Sequence, residues 1–270
     1  MLFLYSLLLI QLSHAHLQVH HHTEINSSST IKNVANEQAD GGAYFITSPA
    51  ISVNLTNCSF TSCFNHLNSH YSGGAVFINK IDSTFISNCI FVNCTSYYGG
   101  ALGLTAVKSV NLDNCTFIQN KAQYQLIIEA YGNGGAIFFN ETTNCSLFIS
   151  DCIFDSNLGS YGAGIYIEPG LDELNVFGTQ FLNNRNNQYR GPAIFAGSTT
   201  YEVKSIIFAS IVQCTFHNNS IGGNAKNQGT AFFITTENFV LKQCNFTSNH
   251  GLINNDCAVC SISLITQTLE

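Results

Sequence analysis

Charge is scarce in this chain of 270 residues: 9% are Asp, Glu, Lys or Arg, nine cations against sixteen acids. Arg occurs twice, as Arg185 and Arg190. A net charge of −7 with no basic run offers nothing to hold a phosphate backbone, which excludes nucleic acid as a partner. An apolar run of the ~20 residues that a membrane helix requires is also missing. The run from Leu2 to Leu12 falls short of it, and nothing later is long and apolar enough. Cys257 and Cys260 form a lone CxxC, and without a second pair at usable spacing it makes no zinc or redox site. The acids are scattered too. Asp151 and Asp155 lie close in sequence, as do Glu168, Asp172 and Glu173, but no position repeats an acid along the chain. An enzyme reading therefore rests on analogy of fold alone. With so few charges, the surface must be wetted by Asn, Ser and Thr.

What the chain has instead is a repeat. Small-residue openings stand at Gly41-Gly42-Ala43, Gly73-Gly74-Ala75, Gly99-Gly100-Ala101, Gly134-Gly135-Ala136, Gly162-Ala163-Gly164, Gly191-Pro192-Ala193 and Gly229-Thr230-Ala231. They alternate with closes that end in Phe60, Phe91, Phe117, Phe154, Phe181, Phe216 and Phe246, each two residues after a Cys, or Thr179 in the fifth. A period of 26 to 38 residues built from short β-rich runs predicts a solenoid whose turns stack on one another.

Alternation sets which side chains point inward. The first strand of each repeat supplies Tyr44/Ile46, Val76/Ile78, Leu102/Leu104, Ile137/Phe139, Ile165/Ile167, Ile194/Ala196 and Phe232/Ile234. The second supplies Val53/Leu55, Thr84/Ile86, Val110/Leu112, Leu147/Ile149, Leu174/Val176, Ala209/Ile211 and Phe239/Leu241. Parity then breaks at a corner marked by an outward polar row: Asn57, Asn88, Asn114, Asp151, Gly178, Gln213 and Gln243. Three residues after each Phe stands Cys63, Cys94, Asn120, Asn157, Asn184, Asn219 or Asn249. Asn suits a tight corner there, because its side chain can bond the backbone and it tolerates the left-handed region. Seven turns at ~4.8 Å per rung make a rod roughly 34 Å long. The small residues of each opening suit positive φ or close backbone packing.

Four segments follow from this reading: a signal peptide over 1–15, a polar lead-in over 16–40 that is either disordered or a cap with room for one degenerate turn, β-helix repeats over 41–249, and a partial turn or cap over 250–270. The signal rests on the apolar run and on Ser13-His14-Ala15 before a cleavage point. It predicts a secreted or cell-surface protein with no membrane span once the signal is removed. Eleven cysteines suit an oxidising compartment. Sequons begin at Asn26, Asn54, Asn57, Asn93, Asn114, Asn140, Asn144, Asn218 and Asn245, and count as glycosylation sites in a eukaryotic secretory path. An open strand edge beyond Asn249 invites end-to-end self-association.

The Gly134-Gly-Ala-Ile137 opening and the Phe117-Ile-Gln-Asn120 close resemble the repeats of the chlamydial polymorphic outer membrane proteins, which also occur in surface proteins of some single-celled eukaryotes. The resemblance covers about Gly41 to Asn249. It implies an all-β, right-handed parallel β-helix of the pectin-lyase-like kind and an adhesion or surface-display role.

Candidate sites are few. Cys63 and Cys94 take the same corner position in adjacent turns, and a ~4.8 Å rung spacing lies within the Cα separation of roughly 4.4 to 6.8 Å that a disulfide tolerates. Buried thiols are the alternative there, and the expectation for Cys58, Cys89, Cys115, Cys152, Cys214 and Cys244. His16, His20, His21 and His22 could gather a divalent metal, with a His-rich tail as the ordinary explanation, and no cofactor is expected. The main candidate is an outward aromatic row on the first strand: Phe45, Phe77, Phe138, Tyr166, Phe195 and Phe233, interrupted at Gly103. Six stacked rings need a cover, either the variable loops or a ligand. The function expected is non-enzymatic binding of an extracellular glycan or protein ligand. A pectin-lyase-like carbohydrate-active enzyme and a structural coat component are the alternatives.

Overall fold

A computed structural model describes residues 23–26, 30–32, 35–36, 40–47, 52–65, 72–123, 132–140, 144–187, 190–197, 206–222, 229–251 and 257–261, with the backbone alone described for 23–26, 30–32, 35–36, 47 and 257–261. The signal segment 1–15 and the four histidines His16, His20, His21 and His22 lie outside the described residues, as does the side chain of Asn26. The described chain is all β, in sheets of 13, 7 and 8 strands joined by parallel ladders. No helix among the described residues is long and apolar enough to cross a membrane.

Each pass of the chain meets the ladders in the same order. The fourth is representative: Ile137–Asn140, Ser146–Ser150, Ile153–Asp155 and Leu158–Gly159. These pair one pass onward with Ile165–Ile167, Glu173–Phe177, Gln180–Leu182 and Arg185–Asn186. The 13-stranded sheet contains both the first and the second ladder. Val76–Ser87, Leu102–Asp113 and Phe232–Lys242 run unbroken through the two, so the pairing path closes on itself through Leu102–Asp113 and Ser146–Ser150. Where Val76–Ser87 and Leu102–Asp113 bend from one ladder to the other, Lys80 and Ala106 adopt φ of 59° and 53°.

Register agrees with the alternation in sequence. Tyr44, Val76, Leu102, Ile137, Ile165, Ile194 and Phe232 are successive neighbours in the first ladder. Leu55, Ile86, Leu112, Ile149, Val176, Ile211 and Leu241 are neighbours in the second. Part of the polar lead-in forms an additional pass, with Thr23–Asn26 on Ser52–Thr56, Thr30–Lys32 on Ser59–Thr61 and Ala35–Asn36 on Phe64–Asn65. Near the other end, Cys257–Ser261, which carries the CxxC, pairs with Phe232–Thr236.

Inside the ladders lies one apolar core. Its spine is the Phe of each close, stacked at 4.8 to 5.0 Å from Phe60 through Phe91, Phe117, Phe154, Phe181 and Phe216 to Phe246. Such pairs add about 0.5 to 1.5 kcal/mol each beyond the area they bury. The openings show why two small residues are needed. Gly73 has φ of 70°, and a Cβ on Gly74 would meet the carbonyl oxygen of Gly100 in the next pass.

Two left-handed rows turn the corners. The first is the polar row read from the sequence, from Asn57 to Gln243. The second is Ser62, Asn93, Gln119, Ser156, Asn183, Asn218 and Ser248, one residue before the position expected to turn the chain. The asparagines at the expected position are not left-handed corner residues. Asn120, Asn157, Asn184 and Asn219 are fully buried and stacked in an amide ladder. In Asn157, Asn184 and Asn219 the carboxamide oxygen accepts from the backbone N–H and the amide of the previous asparagine, as Asn157 Oδ1 does from Asn120 at 3.0 and 3.1 Å. Each Nδ2 donates to a Phe carbonyl and to the next asparagine, as Asn157 does to Phe117 and Asn184, both at 3.0 Å. This satisfies buried polar atoms at a place where the backbone leaves its regular ladder.

Candidate functional site

The aromatic row stacks as the register requires, but it is not a surface. Phe77, Phe138, Tyr166, Phe195 and Phe233 are between 0% and 6% exposed, and Phe45, stacked on Phe77, is half-buried. Phe138, Tyr166, Phe195 and Phe233 lie 5.3 to 5.5 Å apart, their planes nearly parallel, in a second apolar cluster on the outer face of the strands. Residues from the turns cover it. Tyr98 stacks on Phe138 at 4.6 Å, Tyr161 stands 4.9 Å from Phe195, and the Arg190 guanidinium lies 4.8 Å over Phe233. The gap at Gly103 is occupied by the previous opening, because a Cβ there would meet Ser72 and Gly73. Five of the six rings are buried, and a ligand could reach those five only by displacing what covers them.

Glu168 lies beside this cluster, and burial raises its carboxyl above the ordinary value of 4.5. Tyr98 is pushed up to about 12, by burial first and then by Tyr97 and Glu168. An acid whose folded pKa is raised holds its proton more tightly folded than unfolded. Its contribution is present below about 4.5 and is lost as pH rises through the folded value. Glu168→Gln is therefore expected to be more stable than the wild type at pH 7 and to match it near pH 4. Urea midpoints at the two pH values test this, and an unchanged midpoint at pH 7 would refute it.

The cysteines line the core corners. Cys58, Cys89, Cys115, Cys152, Cys214 and Cys244 stand in register, and each thiol donates to the backbone carbonyl two residues earlier at 3.1 to 3.3 Å. Hydrogen bonding to the next thiol, with burial, pushes Cys89 and Cys115 up to about 12, which keeps them protonated and inert. Cys63 and Cys94 are fully buried at the head of the asparagine ladder, where Asn120 Oδ1 accepts from the Cys94 backbone at 3.0 Å. Both are thiols in the structure, and hydrogen bonding of the Cys94 thiol to Cys63, then burial, holds Cys94 well above the usual thiol range.

The site that is open lies elsewhere. A cleft of about 520 Å³ runs across the rungs on the outer side of the asparagine ladder. One wall is the left-handed row over four successive passes: Asn93, Gln119, Ser156 and Asn183. The other is the fourth ladder, with Lys121, Leu158 and Arg185 in consecutive register and Asn187 beyond. Asn157 lies at the floor. Part of the wall is fixed by Asp155, whose Oδ1 accepts from Ser156 Oγ at 2.8 Å and Asn183 Nδ2 at 2.9 Å. Among the described residues Lys121 and Arg185 form no ion pair; the pair present joins Lys108 to Asp82 at 2.6 Å. The described lining consists of amides, a hydroxyl, one leucine and two cations. Alignment of the repeats carries the signal for this site, since Lys121 and Arg185 each follow a ladder asparagine directly.

The sequon asparagines fall largely on the outside. Asn57, Asn93, Asn114, Asn144, Asn218 and Asn245 are exposed, and Asn54 and Asn140 half-buried. Asn93 also lines the cleft, so a glycan attached there would fill one end of it.

Ladders and cleft together define an all-β protein of parallel ladders with a polar, two-cation surface cleft. Among known proteins, the chain is similar to one described as "Probable autotransporter YfaL" of Escherichia coli (strain K12), 37% identical over 83 residues. That stretch is 29% of this chain and 6% of the relative, so the chain spans a small part of the relative's length. No protein-family model matches the chain, and no solved structure matches it.

Proposed function

We propose that the protein is a right-handed parallel β-helix of about seven turns, displayed at a cell surface or secreted, that binds a glycan in the polar cleft without turning it over. The repeated order of ladders and their one-pass register support the helix. The 83-residue similarity to a probable autotransporter supports the location. The observation that carries the binding role is the cleft itself: amides and a hydroxyl stacked on four successive rungs beside the half-buried Lys121 and the exposed Arg185 suit a ligand rich in hydroxyls. A hydrolase would need a pair of carboxylates facing the bound sugar, and the described lining has none.

Leu158→Trp tests the reading, because an indole on the outer face of the fourth ladder obstructs the cleft without entering the core. Protein made without N-glycans is expected to bind a glycan array, and the variant to lose at least tenfold in affinity with its circular dichroism and melting temperature unchanged. Equal binding by the obstructed variant would remove the cleft from consideration.

A disulfide between Cys63 and Cys94 belongs to the same proposal, since an exported chain folds where thiols oxidise. Alkylation without reduction, then peptide mapping, is expected to yield the linked pair, with stability falling by about 3 kcal/mol on reduction. Full alkylation of both residues in the unreduced, denatured protein would rule the bridge out.

A further inference from the structure

Lys121 and Arg185 are two of only nine cationic residues in the chain, yet both face one cleft. They are in register through Leu158, which places their backbones two rungs apart, about 9.6 Å. Between them the cleft presents one apolar side chain, and around them the amides of Gln119, Asn183 and Asn187. An extended, β-linked sugar chain laid across the rungs advances by nearly one rung spacing per ring. Every second ring then meets a cation, and the ring between lies over Leu158.

We propose that the cleft selects a linear anionic glycan whose charge recurs on every second sugar, with Lys121 and Arg185 each pairing one anionic group. The inference rests on the glycan-binding reading above and sharpens it. Arg185 can engage a carboxylate or a sulfate through two parallel N–H donors, whereas Lys121 meets it as a point charge. The amides hydrogen-bond ring hydroxyls, and Leu158 contacts the C–H face of the intervening sugar. The chain as a whole is acidic, so attraction is confined to this cleft and weakens with ionic strength.

Isothermal titration of the unglycosylated protein with three decasaccharides tests this: hyaluronan, with a carboxylate on alternate rings; keratan sulfate sulfated on its N-acetylglucosamine alone, with a sulfate on alternate rings; and neutral chitin oligosaccharide of equal length. Polymannuronate, β-linked and charged on every ring, is the spacing control. At least one alternating polymer is expected to bind tenfold or more tighter than the neutral one and than polymannuronate. Keratan sulfate exceeding hyaluronan would assign the recognised anion as sulfate, and the reverse order would assign carboxylate. Lys121→Gln and Arg185→Gln are each expected to lose roughly tenfold in affinity for the preferred polymer, the scale of one charge-assisted contact, with no change for the neutral chain. Arg185→Lys should recover part of the loss.

Equal binding of the neutral chain, with both Gln variants unaffected, overturns the inference while leaving glycan binding in place, and Leu158→Trp still abolishes that binding. Equal or tighter binding of polymannuronate overturns the spacing argument. Failure to bind any anionic polymer overturns the inference outright, and failure to bind any glycan takes the wider reading with it.

Discussion

Asn157→Ala is expected to lower the free energy of unfolding by about 3 to 5 kcal/mol, more than a polar-to-alanine change costs on a surface. The side chain is fully buried and makes four hydrogen bonds, accepting from the Asn120 backbone and amide and donating to the Phe117 carbonyl and to Asn184. Alanine strips the partners from several buried groups at once, and each is left with a desolvation cost of about 1 to 3 kcal/mol. The break also falls inside a column running from Asn120 to Asn249, so neighbouring passes lose part of their mutual polarisation. Urea unfolding measures the effect, with Asn111→Ala on an exposed strand position as a control expected to stay within about 0.5 kcal/mol. A loss below 1 kcal/mol at Asn157 would mean that the ladder adds little to stability.

Phe195→Ala carries the second large effect, also about 3 to 5 kcal/mol. Phe195 is fully buried although it lies on the outer face of its strand, held between Tyr166 and Phe233 at 5.3 Å and against Tyr161 at 4.9 Å. An exposed ring at the same place would cost less than about 0.5 kcal/mol to remove and would register in ligand binding instead. The measurement therefore separates a second core from a docking surface. A variant as stable as the wild type, with reduced glycan binding, would restore the row as a contact site.

Much of the architecture is legible because the repeat marks its own register. Tyr44, Val76, Leu102, Ile137, Ile165, Ile194 and Phe232 could be set in one column from sequence, since each stands at a constant offset from an opening and strand alternation does the rest. The outward polar row from Asn57 to Gln243 was readable for the same reason: parity fails there, and those residues are left-handed. At the next corner the left-handed residue is Ser62, Asn93, Gln119, Ser156, Asn183, Asn218 or Ser248, a mixture in which no glycine announces the turn. The asparagine beside it, present in five of the seven repeats, suits the same corner by residue type. A side chain that tolerates positive φ and one that satisfies buried backbone look alike in sequence, and only the packed neighbours tell them apart.

The candidate site divides in the same way. Alternation alone determined that Phe138, Tyr166, Phe195 and Phe233 leave the inner core, because side-chain direction along a strand is a local property of the backbone. What covers them depended on Tyr98, Tyr161 and Arg190, which come from turns of unequal length whose paths no period specifies. The cleft was decided by tertiary structure too. Lys121 and Arg185 are distant in sequence and become neighbours two rungs apart only because the chain returns to the same ladder on every pass. The repeat, the inward columns and the lack of charge are all matters of local chemistry and can be read residue by residue. Which outward residues are sealed and which stay open to a ligand depends on contacts between passes that vary from one to the next, and no period in the chain encodes them.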